Sequence, residues 1–158
     1  MARKQRKAAK TQSRSRVSKR EIGELQKTLT KSVLTGEPLP GSTRSVVFPD
    51  AAFLDRHPSV YVDDENISGG MSLEGVPKPV RIVSRDAVAA KASSEGDWTY
   101  LHFQAPVVKG NEVQLTLQGR IAPHDPAQRT VGLSTIQVTF RKVADRWELV
   151  GDPVYSAA

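Results

Sequence analysis

Apolar positions along this chain follow two different periods. Between residues 18 and 35, Ile22, Leu25, Leu29 and Val33 recur three or four residues apart, which makes one apolar stripe along a helix. Ser18-Lys19-Arg20-Glu21 reads as a capping box, in which a hydroxyl and a carboxylate satisfy donors that a first helical turn leaves unpaired. Gly36 and Pro38 stop the helix. Beyond residue 97 the period becomes two. Trp98–Val107, Glu112–Ile121 and Leu133–Val143 alternate, and Trp147–Val150 follows a short turn, a pattern that predicts consecutive antiparallel strands.

The middle of the chain is less regular. Arg44–Phe48 is a short strand candidate, Pro49–Pro58 fits one helical turn, and Val60-Tyr61-Val62 reads as a strand ended by the acidic turn Asp63-Asp64-Glu65-Asn66. Residues 67–79 are rich in Gly and Pro and read as a loop. Val80–Ser84 is a further strand, and Ala87–Ala92 fits either a strand or a helical turn. The organisation expected is a basic arm over 1–17, an amphipathic helix over 18–35, a linker over 36–43 and a β-rich globular domain over 44–158. The fold class expected is α+β, with the N-terminal helix packed on a curved, mostly antiparallel β-sheet. An all-β jelly roll carrying an N-terminal arm is the alternative.

Alternation assigns the sheet two faces. Leu101, Phe103, Val113, Leu115, Leu117, Ile136, Val138 and Phe140 share one, and this is the expected core. Trp98, Tyr100 and His102 share the other with Gln114, Gln118 and Arg141. Those rings are large for a plain solvent face. They suit a dimer interface, a small pocket with His102 as its titratable group, or a base-stacking platform. No acid lies on the His102 strand to partner it, which favours the interface over acid–base chemistry.

Charge changes the picture most. The net charge is +6, yet residues 1–20 alone hold nine cations and no acid: Arg3, Lys4, Arg6, Lys7, Lys10, Arg14, Arg16, Lys19 and Arg20. Residues 21–158 are left with 14 basic and 17 acidic side chains, a net of −3. An arm of Lys, Arg, Ala, Gln and Ser has almost nothing to bury, so it is expected to be disordered when alone. Each phosphate it neutralises would release condensed counterions, so RNA or DNA is the partner this charge suits best. A targeting signal or a solubilising arm would share the composition.

With 158 residues the chain suits one domain with an appendage. No apolar run is long enough to insert in a membrane, and no secretory pattern follows the basic start. The expected location is intracellular, with nuclear, organellar or virion locations open. The absence of cysteine excludes disulfides and thiolate metal sites. There is no phosphate-binding loop, dinucleotide fingerprint or nucleophile elbow. His57 with Asp63, Asp64 and Glu65 matches no metal-ligand spacing, and His124-Asp125-Pro126 belongs to a strand-connecting turn. No catalytic residue, metal ligand or cofactor is therefore expected.

The C-terminal half resembles the nuclear-transport-factor-like or ketosteroid-isomerase superfamily. The likeness rests on Ser134-Thr-Ile-Gln-Val-Thr-Phe-Arg-Lys, then Asp145-Arg-Trp147-Glu-Leu-Val-Gly-Asp. It also rests on Phe53-Leu-Asp-Arg-His-Pro-Ser-Val-Tyr-Val-Asp63, and covers residues 50–152. It implies a curved antiparallel sheet, dimerisation through sheet faces and a scaffolding role. One clear N-terminal helix stands where that superfamily packs several, and its acid pair has no counterpart here. Small viral coat proteins are similar in architecture, joining a basic arm and short helix to an all-β domain. The function expected is a non-enzymatic binding or scaffold protein, with its arm on RNA or DNA and its body forming a homo-oligomer. A capsid protein packaging RNA, or an isomerase-type or ligand-binding pocket near Trp98, Tyr100 and His102, are the alternatives.

Overall fold

The computed structural model describes residues 17–49 and 51–157. The helix forms where its pattern placed it. α1 spans Lys19–Thr35, and both halves of the capping box are made. The Glu21 N–H donates to Ser18 Oγ at 3.1 Å, and the Ser18 N–H donates to Glu21 Oε1 at 3.2 Å. Gly36 closes the helix in the left-handed region at φ 78°, where a residue without Cβ carries no penalty.

Ile22, Leu25, Leu29 and Val33 are all buried, in one core with Leu101, Phe103, Leu115, Leu117, Ile136 and Phe140. Burying each of those aliphatic side chains is worth about 1.5–3 kcal/mol, so the stripe holds the helix on the sheet. The linker also folds into this core. Leu39, Val46 and Phe48 are all buried in it, and the stretch expected as a strand over 44–48 makes only one isolated bridge, Ser45 to Pro38.

After a single 3-10 turn over Ala52–Asp55, the strands are β1 (Val60–Asp63), β2 (Val80–Val83) and β3 (Trp98–Phe103), then β4 (Val107–Lys109) and β5 (Glu112–Ala122). The series ends with β6 (Val131–Val143), β7 (Arg146–Leu149) and β8 (Val154–Ala157). They form one eight-stranded sheet in the order β2-β1-β3-β5-β6-β7, with β4 beside β5 and β8 beside β6. A single sheet with a helix on it replaces the jelly-roll alternative.

The sheet is mixed. β3, β5, β6 and β7 run antiparallel, as their alternation suggested, but β1 pairs parallel with both β2 and β3. The 64–79 connection returns the chain to start β2 parallel to β1, and the crossover that makes β3 parallel to both is α2 (Arg85–Glu95), which carries the chain from β2 past β1 to β3. Parallel strands need such a crossover, and this one resolves the ambiguity over residues 87–92 in favour of helix. Ser84 caps it, its Oγ accepting from the Ala87 N–H at 3.1 Å. The long strand expected over 98–107 is broken at residues 104–106, where Pro106 has no N–H to give, so β3 and β4 share one edge of β5. Among the described residues, no helix is long and apolar enough to cross a membrane.

Candidate functional site

The rings that alternation placed on the second face are there, but another part of the same chain covers them. Val88 and Ala92 of α2 pack on Trp98, Tyr100 and Ala122, with Tyr61 and Val83 at the margin. Trp98 is 7% exposed and Tyr100 4%. Both are internal packing residues, so neither is available as the central anchor of an interface between copies. The cover was invisible in the sequence because α2 has almost no amphipathic pattern: it buries only Val88 and Ala92.

The cluster is extended by His57, whose ring stacks on Trp98 with centroids 3.7 Å apart. The Lys91 ammonium lies 5.1 Å from the Trp98 centroid, a cation–π contact. His57 Nε2 accepts from the Thr99 N–H at 3.3 Å, and Thr99 Oγ1 donates to the Phe53 carbonyl at 3.0 Å. Burial, helped by the nearby charges of Arg56, Lys78 and Lys91 and opposed by Glu95, holds the His57 pKa below its ordinary value. The cavity beside Tyr100, lined by Phe53, His57, Tyr61 and Thr99, measures about 10 Å³. That is room for at most one water, not for a small-molecule substrate.

His102 has a different setting. β1 lies parallel to β3 with Val62 opposite Leu101, which brings Asp63 alongside His102. Asp63 is fully buried and His102 is 5% exposed. Because an ionised carboxylate only accepts, the His102 Nδ1–H donates to Asp63 Oδ2, at 2.8 Å. Glu65, two residues on, places Oε2 at 3.8 Å from the same nitrogen. Its N–H donates to Asp63 Oδ1 at 3.2 Å, and its Oε1 accepts from Arg85 at 3.1 Å. That hydrogen bond, with the Glu65 charge, holds the Arg85 proton more firmly than usual. One donor atom from each of Asp63, Glu65 and His102 lies within 4.8 Å of the other two.

So the partner of His102 is an acid from the neighbouring strand, not from its own. The expectation that it lacked one considered only its own strand, which carries no acid, and not the strand beside it. His57, the histidine nearest these acids in sequence, packs elsewhere on Trp98. The only signal for the pairing was the acidic turn ending β1, and its meaning depends on a crossover that the sequence left ambiguous.

The other residues of that face are dispersed. Gln118 sits opposite His102 in β5 and accepts from Arg120 Nε at 2.6 Å. Gln114 and Arg141 lie at the far end of β5 and β6, where Arg141 faces Glu112 at 3.6 Å. His124 donates from Nδ1 to the Ala92 carbonyl at 2.8 Å and ties the β5–β6 turn to α2.

Of the nine basic residues, Arg3, Lys4, Arg6, Lys7, Lys10, Arg14 and Arg16 lie outside the described residues. Lys19 and Arg20 are exposed in the first turn of α1. With Gly23, Glu24 and Lys27 they line one side of an open groove of about 580 Å³, whose other side is the 66–70 loop and Pro106. Gln26, fully buried, sets that loop in place: its Nε2 donates to the Asn66 carbonyl at 2.7 Å, and its Oε1 accepts from the Ser68 N–H at 3.0 Å. Glu21 is turned away to Lys142 at 2.7 Å, a contact that lowers the Glu21 pKa and raises that of Lys142. Sequence had given no hint of the groove, because its far wall is a loop more than 40 residues away. No family model, curated protein or solved structure matches this chain.

Proposed function

We propose that this protein binds nucleic acid, through the basic residues of its first 20 positions, while the folded body acts as a scaffold rather than supplying chemistry. The observation that carries this reading is the concentration of nine cations and no acid in residues 1–20, on a body of net charge −3. Phosphate contact is the use that such a segment serves best, since every contact releases counterions. Two features of the fold support it. Lys19 and Arg20 continue the basic run onto the groove that Lys27 also lines. Glu21, the acid nearest to that run, is engaged by Ser18 and Lys142 and, among the described residues, makes no ion pair with Arg20.

The body's part is association with itself or a partner through the sheet face that α2 leaves uncovered, around Gln114, Thr139 and Arg141. This face is polar, which fits a partner that comes and goes. Gln118 and Thr116 stand on it too, half-buried.

The test compares the full chain with a chain beginning at Val17, using a fluorescent single-stranded oligonucleotide and anisotropy. Loss of binding with an unchanged melting temperature is the expected result. Equal affinity of the two chains would remove the arm from the account.

A further inference from the structure

We infer that Asp63, Glu65 and His102 form a site for one divalent transition-metal ion of the zinc or manganese class, independently of nucleic-acid binding. The donor set is mixed, one imidazole and two carboxylates, which suits those ions better than calcium or magnesium. The three donor atoms already lie within 4.8 Å of one another, close to the spacing of ligands around a single ion at about 2.0–2.2 Å. Small side-chain movements complete the approach.

Two observations outside that spacing point the same way. First, each carboxylate has one oxygen fixed by a hydrogen bond and the other turned towards His102. Arg85, from α2, holds Glu65 Oε1 and leaves Oε2 free, and the Glu65 N–H holds Asp63 Oδ1 and leaves Oδ2 facing the imidazole. The Arg85 contact is of the kind that outer residues supply to metal ligands.

Second, the Asp63 carboxylate is wholly buried, and among the described residues its only ion-pair partner is the imidazole of His102. Two hydrogen bonds and the Arg85 charge offset part of the cost of burying that carboxylate, and a bound cation would offset more of it. A divalent ion held between the two carboxylates and the imidazole would supply a further cation there. On binding, the ion takes the Nδ1 lone pair and the ring proton resides on Nε2. Glu65 is 40% exposed, so the ion enters from that side and water completes its coordination.

The experiment is isothermal titration of the chelator-treated full chain with zinc chloride and with manganese chloride, with bound metal counted by mass spectrometry. One ion per chain is expected. Glu65→Gln, at a half-exposed position, should stay folded and weaken binding at least about tenfold. His124→Asn should leave binding unchanged, and the His102 ring resonances should be the imidazole signals that shift. No uptake by the folded wild-type chain would overturn the proposal. So would binding that Glu65→Gln leaves untouched, or that His124→Asn abolishes.

Discussion

Replacing Gly23 with alanine tests the packing that builds one wall of the groove. In an open helix position the exchange stabilises by about 0.5–1 kcal/mol, because alanine loses less backbone freedom on folding. Here the added Cβ would stand 1.8 Å from the Ser68 carbonyl oxygen and 3.0 Å from its carbon. Both atoms are backbone, so the 66–70 loop must withdraw by more than about 1 Å to reach ordinary contact. That movement breaks the two hydrogen bonds by which Gln26 holds Asn66 and Ser68. Each loss leaves a buried amide group unpaired, at about 1–3 kcal/mol. Net of the helix gain, Gly23→Ala should destabilise by about 3 kcal/mol. For a chain of this size that lowers the melting temperature by roughly 6–12 °C. Urea titration followed by circular dichroism measures it, with a parallel thermal scan. A variant as stable as the wild type, or more stable, would show that the loop does not rest on Gly23 and that the groove's far wall is misplaced.

Phe140→Ala and Leu115→Ala should each cost about 2–5 kcal/mol, since both side chains are fully buried on the α1 face of the sheet. Gln137→Ala, on the opposite face, should cost under about 1 kcal/mol, and equal effects in chemical denaturation would mean a register error of one residue. Trp98→Ala should lower stability by about 3–5 kcal/mol, by emptying the space between α2 and β3. Full stability of that variant, together with altered sedimentation, would return Trp98 to an interface. His57 titrates below its ordinary value of 6.5, so the unfolded chain binds its proton first as pH falls. Its contribution to stability is complete above 6.5 and is lost as pH drops from there through the lowered folded-state value. His57→Asn should flatten stability against pH over that window, and a His57 ring pKa at or above 6.5 by NMR would contradict the stacking geometry.

What the sequence made legible was whatever rests on local pattern. The capping box, the α1 stripe and the apolar face from Leu101 to Phe140 all follow from neighbours three or four residues apart in a helix, or two apart in a strand. Three features depended on distant chain segments and were not legible. Residues 85–95 form a helix that buries only Val88 and Ala92, too few apolar positions to announce a crossover. Without the crossover β1 has no reason to run parallel to β3, and Asp63 has no reason to meet His102. The groove has the same character, because Gly23 and Gln26 gain their roles only once the 66–70 loop lies against them. The basic run was legible at once, since charge needs no tertiary context to be counted.

The central claim, that residues 1–20 bind phosphates, is tested most directly by the salt dependence of binding to a single-stranded oligonucleotide. If all nine cations make contact, a plot of log affinity against log salt has a slope of about −6, near −0.7 per phosphate neutralised. The chain beginning at Val17 keeps only Lys19 and Arg20 of the nine, and its slope should flatten to about −1.4. A full-length slope near zero, or the same slope for both chains, would contradict the account.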